Sequence, residues 1–339
     1  MIAEASRLSQ TYFNLARAAE RVGDWASAIA NYDACLETHP GAPSALQWRV
    51  ARANALEKLQ RFSEAEREFA ALAAEAPNLL GAHLGLARAA EHVGDWASAL
   101  SRYEACLESS PNAPGVPHVR VARANALIRL DRVAEAEAEF EALLEIAQIS
   151  VHASAGFARA AESRGQWSLA AERWAACVQR FPAAPGAKGF RQARAAALSR
   201  AGQWRAAYEA YSDVVQDNAT PNALFSRASC LFQYQGSTEL VSRLVSEAIA
   251  ADPNSSRPLR LAANVAAANG NLSEALQICE RCVEIEPDEI TNYALGMSLA
   301  VQAENKAAAD RLAKMYRHQM YSHYLWFVRE LQNSSLRKT

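Results

Sequence analysis

The sequence has no apolar run long enough to cross a membrane and no cationic start followed by an apolar core. A membrane helix needs about 18 or more consecutive apolar residues, and no window of the chain approaches that length. The first residues, MIAEASRLSQ, lack the pattern of a secretory signal. We therefore expect no membrane insertion and a cytoplasmic location.

An excess of one charge is also missing, and so are the short motifs that mark catalytic or nucleotide sites. The 35 basic and 37 acidic residues give a net charge of −2, which argues against a nucleic-acid binder that works by bulk electrostatics. The sequence contains no GxGxxG or P-loop motif and no HExxH metal motif. No Ser-His-Asp or Cys-His set stands out. We expect no nucleic acid, no cofactor, no metal and no catalytic residue, and hence no enzyme.

Cysteine is scarce, and its spacing does not predict disulfides. Cys35, Cys106 and Cys177 are 71 residues apart, which indicates a repeated packing position. The sequence CERC from Cys279 to Cys282 has the spacing of a redox or zinc site, but a single pair lacks the second half of a zinc site. Both cysteines also fall on positions that the repeat buries, so we interpret them as structural.

The chain repeats itself. GDWASAIANYDACLETHP at 23–40 and GDWASALSRYEACLESSP at 94–111 match at twelve of eighteen positions. Each 71-residue unit divides into two helical hairpins, so the chain is predicted to contain eight or nine of them. The predicted second helices begin at Trp25, Phe62, Trp96, Val133, Trp167, Trp204, Thr238 and Leu272.

Small residues recur where the two helices of each hairpin must touch, because a large side chain there would hold the helix axes apart. Four residues beyond the second small position comes a large side chain, as at Tyr32 and Phe69, and proline ends most units. The first small positions are Ala16, Ala53, Ala87, Ala124, Ala158, Ala195, Ser229 and Ala263. The second are Ala28, Ala65, Ala99, Ala136, Ala170, Ala207, Val241 and Ala275.

This pattern resembles the tetratricopeptide repeat (TPR) family over roughly residues 7 to 318. The resemblance implies an all-α fold, a right-handed superhelical α-solenoid of eight or nine hairpins. We predict that residues 319–339 form a C-terminal aromatic capping helix and tail. The alternative is that this aromatic face, with Tyr321, Tyr324 and Trp326, docks on another domain or subunit and so supports self-association.

In this family the first helices line the concave face, and the resemblance implies ligand-facing positions there. One residue beyond the first small position, Arg and Asn alternate, and apolar side chains lie four residues earlier. Asn can donate to and accept from a peptide backbone, and Arg can grip a carboxylate, so we predict a groove for an extended peptide or an acidic tail. In the seventh hairpin the ligand-facing residue is Cys230. The predicted partner-binding residues are Phe13, Arg17, Val50, Asn54, Leu84, Arg88, Val121, Asn125 and Arg159.

Two interpretations of the arginines stay open. Arg17, Arg88 and Arg159 each have a Glu three residues on, and such pairs can simply neutralise one another on a solvated face. The second set lies one helical turn apart and forms either a basic stripe or, as we favour, a cover over the longer linkers with bonds to exposed carbonyls. These are the pairs Arg49/Arg52, Arg120/Arg123 and Arg191/Arg194.

The sequence therefore favours a non-enzymatic scaffold that binds a peptide or a partner protein in its concave groove. A weaker resemblance, in GDWASALSRYEACLESSP and GQWSLAAERWAACVQRFP, is to repeats found beside glycosyltransferase domains in bacterial surface-polysaccharide proteins. That resemblance implies the alternative function, recruitment or regulation of a glycosyltransferase partner.

Overall fold

The computed structural model describes residues 2–113, 115–146 and 149–320, which are helical with short connecting turns and contain no strand. The chain divides into two compact units, Met1–Gln166 and Trp167–Thr339, which are described separately. The helices of unit 1 are α1 (Ile2–Val22), α2 (Trp25–Thr38), α3 (Ala45–Lys58), α4 (Phe62–Glu75), α5 (Leu80–His92), α6 (Trp96–Ser109), α7 (Val116–Arg129), α8 (Val133–Leu143) and α9 (Ser150–Ser163).

Unit 2 continues the same alternation of helices with short turns, and residues 306–320 are also helical. The predicted aromatic capping helix and tail at 319–339 lies almost wholly outside the described residues, so that boundary stays a prediction. The helices of unit 2 are α10 (Trp167–Arg180), α11 (Ala187–Arg200), α12 (Trp204–Asp217), α13 (Pro221–Gln235), α14 (Glu239–Ala251), α15 (Ser256–Ala268), α16 (Leu272–Ile285) and α17 (Ile290–Gln302).

Within each unit, consecutive helices pack against one another, and alanine lies where they approach most closely. Ala16 of α1 and Ala28 of α2 are both 0% exposed, which allows the backbones to come together. Tyr32 and Phe69, four residues beyond the second small position, are also fully buried. The predicted packing register is confirmed at the first small positions Ala16, Ala53, Ala87, Ala124, Ala158, Ala195 and Ala263.

The seventh hairpin departs from the predicted register by one residue. Ala228 is the fully buried small residue of α13, not Ser229, and the predicted ligand-facing Cys230 is itself buried. The reason is a longer turn, because Thr238 caps the next helix by accepting a hydrogen bond from the Val241 amide instead of beginning it. The prediction that Cys230 faces a ligand is therefore wrong.

The turns between paired helices need a backbone conformation that suits glycine. Gly23 and Gly94 have φ of +78°, in the left-handed region that side chains disfavour. The next residue in each turn, Asp24 or Asp95, caps the following helix by accepting a hydrogen bond from the backbone N–H of Ser27 or Ser98. Glycine followed by aspartate therefore fixes the position at which the second helix begins.

We expect Gly85→Ala to lower the free energy of unfolding by about 1–3 kcal/mol, although alanine favours helix over glycine by about 1 kcal/mol. A Cβ at Gly85 would lie 2.4 Å from ring carbons of Phe69, so the packed ring must move. Gly189→Ala is the matched control, since nothing lies within 4 Å of its Cβ position, and we expect it to stabilise the protein slightly.

Urea unfolding followed by circular dichroism measures both changes. Equal effects of the two substitutions would contradict the assignment of Gly85 to a helix contact.

Candidate functional site

The predicted partner-binding residues lie on the first helices of unit 1. Arg17, Asn54, Arg88, Asn125 and Arg159 come from α1, α3, α5, α7 and α9, and we call them the Arg/Asn row. Arg17 and Arg159 are exposed, and the other three are partly buried. One turn earlier on the first four of these helices lies the apolar row, on the same helix face because residues four apart share a face. The apolar row consists of Phe13, Val50, Leu84 and Val121.

Neighbouring members of the Arg/Asn row bond to each other across hairpins. Nη2 of Arg88 donates to Oδ1 of Asn54 at 2.5 Å. Nη2 of Arg159 donates to Oδ1 of Asn125 at 3.3 Å. The structure thus brings together residues 34 positions apart in the sequence, and it does so twice with the same chemistry.

The charges of the row are compensated, but not always by the glutamate that the sequence suggests. Arg17 pairs with Glu20, three residues on, as the solvated-face interpretation predicts. Arg88 instead pairs with Glu57 of α3, with Nη2 at 2.8 Å and Nε at 3.1 Å from the same oxygen. The prediction that Arg88 pairs with Glu91 is therefore wrong.

Glu91 lies in a different environment from the one the local spacing indicates. Burial raises the pKa of Glu91, and a hydrogen bond with Tyr103 opposes that shift. The corresponding residue of the first hairpin, Glu20, accepts a hydrogen bond from Tyr32 Oη at 2.8 Å. These glutamates join the first helix of a hairpin to the aromatic residue of its second helix.

The apolar row is shared between the surface and the core. Each of its members is partly buried and packs against the hydrophobic cluster below it. Val50 also supports the next hairpin, since a Cβ at Gly81 would lie 2.8 Å from its Cγ1. A ligand on this face would therefore meet side chains that are already fixed by packing, which lowers the entropic cost of binding.

The hydrogen bonds decide which groups the row presents. Oδ1 of Asn54 accepts from Arg88, while its Nδ2 forms no hydrogen bond with any described residue. The same holds for Asn125, whose Oδ1 accepts from Arg159. Because the acceptor side of each amide is occupied, the row presents mainly donors, and it suits a ligand rich in carbonyl or carboxylate oxygens.

The paired arginines bind carboxylates and not the carbonyls of the linkers. Arg49 and Arg52 hold the two oxygens of Glu68, with Nε at 2.6 Å from Oε1 and Nη2 at 2.9 Å from Oε2. Arg120 and Arg123 hold Glu139 in the same way. We call these two arrangements the glutamate clamps. The favoured interpretation of the sequence, with arginines covering the linkers, is wrong about the partners, although the 71-residue spacing of the two glutamates signalled them.

The cysteine and histidine candidates do not form a metal centre within the described ranges. Cys279 and Cys282 are both fully buried, and burial raises their thiol pKa values to about 12 and about 11. His118 and His152 are neighbours, with ring centroids 6.5 Å apart. No group of three or more His, Cys, Asp or Glu side chains among the described residues is arranged to hold a metal ion.

In the part of the chain that the structure describes, every helix is too short or too polar to cross a bilayer.

Comparison with known proteins identifies the repeat. Residues 13–79 and 84–149 match the family model of the tetratricopeptide repeat. The two stretches contain every predicted partner-binding residue except Arg159. Among curated proteins, no sequence matches the chain. The resemblance to repeats beside glycosyltransferases therefore finds no support in these comparisons.

Solved structures share the architecture. The C-terminal part of a TPR repeat-containing protein from Cytophaga hutchinsonii is 13% identical with a TM-score of 0.60, over 73% of this chain and 98% of that one. PilW, a widely conserved type IV pilus biogenesis factor, is 18% identical with a TM-score of 0.55, over 62% of this chain and 93% of that one. A TPR protein from Parabacteroides merdae is 14% identical with a TM-score of 0.48, over 87% and 99%. The first two support the fold alone, and the predicted all-α repeat solenoid is confirmed.

We expect the thiols to resist alkylation in the native protein and to react once the chain is unfolded. Burial raises the pKa of Cys35 and Cys106 to about 11, so the reactive thiolate is scarce near neutral pH as well as shielded. Iodoacetamide labelling with and without urea, read by mass spectrometry, measures the difference. Rapid labelling of the CERC cysteines in the native protein would contradict their structural role.

The same shift predicts a pH dependence of stability. The folded-state pKa values of about 11 lie above the unfolded value of about 8.5, so the folded state binds more protons between them. The contribution of these thiols is therefore complete below the unfolded pKa and is lost as the pH rises through the folded one. Urea unfolding over this alkaline range should show a falling free energy, and replacing Cys35 and Cys106 by Ala should make the fall less steep.

Proposed function

Since the chain is a protein of tetratricopeptide repeats, we propose that it is a non-enzymatic scaffold that binds an extended segment of a partner protein along the first helices of unit 1. Repeats of this family generally mediate protein–protein interaction. The segment lies along the Arg/Asn row, with its side chains against the apolar row. Free buried thiols are typical of a reducing compartment, which supports the cytoplasmic location.

The observation that carries the proposal is the pair of hydrogen bonds that orient Asn54 and Asn125. Each amide gives its oxygen to an arginine of the next first helix and is left with a donor group. A donor held in a fixed orientation costs less entropy on binding than a freely rotating one. The same geometry occurs at two places 71 residues apart, so it offers an extended chain two equivalent donors.

The charges of the row favour the backbone of the partner over an acidic tail. Glu57 compensates Arg88 and Glu20 compensates Arg17, so much of the positive charge is already paired. Backbone carbonyls need donors but no net positive charge, whereas an acidic tail gains most from uncompensated arginines. Acidic groups on the partner are therefore compatible with this site but not required by it.

Two finer proposals have no support of their own in the described residues. Recruitment of a glycosyltransferase would be one instance of the scaffold function, and no contact described above favours it. Self-association through the C-terminal aromatic helix depends on residues 321–339, which lie outside the described residues. Both stay predictions of the sequence.

We expect the double substitution Asn54→Asp and Asn125→Asp to weaken partner binding by about two- to tenfold per site. Aspartate keeps the oxygen that each arginine needs and removes the amide donor, and one hydrogen bond is worth about 0.5–1.5 kcal/mol. Stability should change little, because the bonds to Arg88 and Arg159 are retained.

The partner is first recovered by pull-down and mass spectrometry, and its bound segment is located by cross-linking. Isothermal titration calorimetry with a peptide of that segment then compares the variants. Asn222→Asp is the control, since it makes the same change at an exposed position of unit 2. Unchanged affinity of the double variant, or cross-links that avoid the first helices of unit 1, would overturn the proposal.

A further inference from the structure

The third arginine pair lacks the partner that the first two pairs share. Arg191 and Arg194 lie on α11 of unit 2, and they stand 71 residues beyond Arg120 and Arg123. The position that corresponds to the clamped Glu68 and Glu139 is Ala210. The chain has therefore kept the two arginines and lost the carboxylate that they hold in unit 1.

The second carboxylate at this position is lost as well. In the first copy Arg52 also contacts Asp33, with Nη1 at 2.7 Å from Oδ1. The corresponding residue of unit 2, Ala175, carries no charge. Both acidic partners of Arg52 are thus replaced by alanine around Arg194.

The two arginines differ in what they still contact. Arg191 keeps one partner, Asp217 of α12, at 2.6 Å. Asp217 corresponds to Glu75, which contacts Arg49 at 2.5 Å in the first copy. Arg194 is half-buried, and its guanidinium has no hydrogen bond or ion pair with any residue of the described ranges. It is the member of the pair with free donors.

The remaining acidic residues near this face are used elsewhere or exposed. Glu209 of α12 pairs with Arg205, four residues earlier on the same helix, at 3.1 Å. Glu172 of α10 and Asp213 of α12 are exposed, and neither forms an ion pair with Arg194. The α11 helix itself carries four basic residues and no acidic one. An anion that approaches Arg194 therefore meets a basic helix with one unpaired guanidinium.

The first glutamate clamp shows that the position is reachable from solvent. Arg52, Asp33 and Glu68 line a cavity of about 360 Å³ together with side chains of α2 and α4. In unit 2 the residues at the positions of Asp33 and Glu68 are smaller, so they leave more room beside the arginine. A carboxylate on a side chain can enter from the same direction.

We propose that Arg194, with Arg191 beside it, binds a carboxylate side chain of the partner protein in the place of the missing glutamate. The inference rests on the proposed scaffold function, since it gives the partner a second point of attachment. A carboxylate is favoured because both glutamate clamps hold one with two guanidinium groups, each contacting one oxygen. The contact to unit 2 would add to the backbone contacts of unit 1.

The test uses the full chain and follows the arginine Nε–Hε resonances by NMR during titration with a blocked glutamate, acetyl-glutamyl-methylamide. We expect a saturable shift of the Arg194 resonance, none with blocked glutamine, and a smaller one with inorganic phosphate. Ala210→Glu should abolish the shift, because it supplies the missing carboxylate from within the chain. Arg194→Gln removes the guanidinium and serves where Ala210→Glu, at a buried position, impairs folding.

Glu139→Ala is the matched gain of function, since it should make Arg123 respond to blocked glutamate as Arg194 does. The inference is overturned if Arg194 does not respond, if blocked glutamine shifts it equally, or if Ala210→Glu folds and leaves the shift intact. A stronger response to phosphate would also overturn it, in favour of a phosphate site. None of these outcomes involves Asn54 or Asn125, so failure here is distinguishable from failure of the unit 1 groove.

Discussion

The close approach of helices through alanine is the constraint on which the rest of the structure depends. Ala53 and Ala65, which lie on the two helices of one hairpin, are almost wholly buried, and any larger side chain would separate the helix axes. Once that contact is fixed, the large side chain four residues on must fill the space against the next hairpin. Phe69 does so with its ring against Gly85, which leaves no room for a Cβ. Packing thus determines the register of each hairpin and of its neighbour.

The charged residues then join the hairpins in a second layer of contacts. Glu68 on α4 binds both Arg49 and Arg52 of α3, while Glu57 of α3 binds Arg88 of α5. Each bond links nearest neighbours in the array, as expected of a repeat in which every hairpin contacts only those beside it. Because Glu57 and Glu68 are mostly buried, losing one arginine would leave a carboxylate poorly solvated, which is costly. The polar contacts therefore reinforce the stacking that the alanines make possible.

The periodic part of the fold could be predicted from the sequence, and the choice of ionic partner could not. Spacing alone located Ala16, Ala28 and Tyr32, because burial repeats with the helix and with the hairpin. Spacing also suggested Glu91 for Arg88, but that choice depends on the distance between α3 and α5 and on the burial of Glu91 beside Tyr103. The error at Cys230 has a different cause, since a turn longer by one residue shifts α13 without changing the spacing of the second helices.

Repetition within one chain also separates residues that serve the fold from residues that do not. Tyr32, Tyr103 and Trp174 keep a large ring at one position because the same gap must be filled in each copy. A clamp needs both of its members to contribute to stability, so an arginine without its glutamate has no comparable structural role. Holding a long cationic side chain half-buried costs conformational entropy, which the first two copies offset with a carboxylate. In the third copy that offset must come from outside the chain.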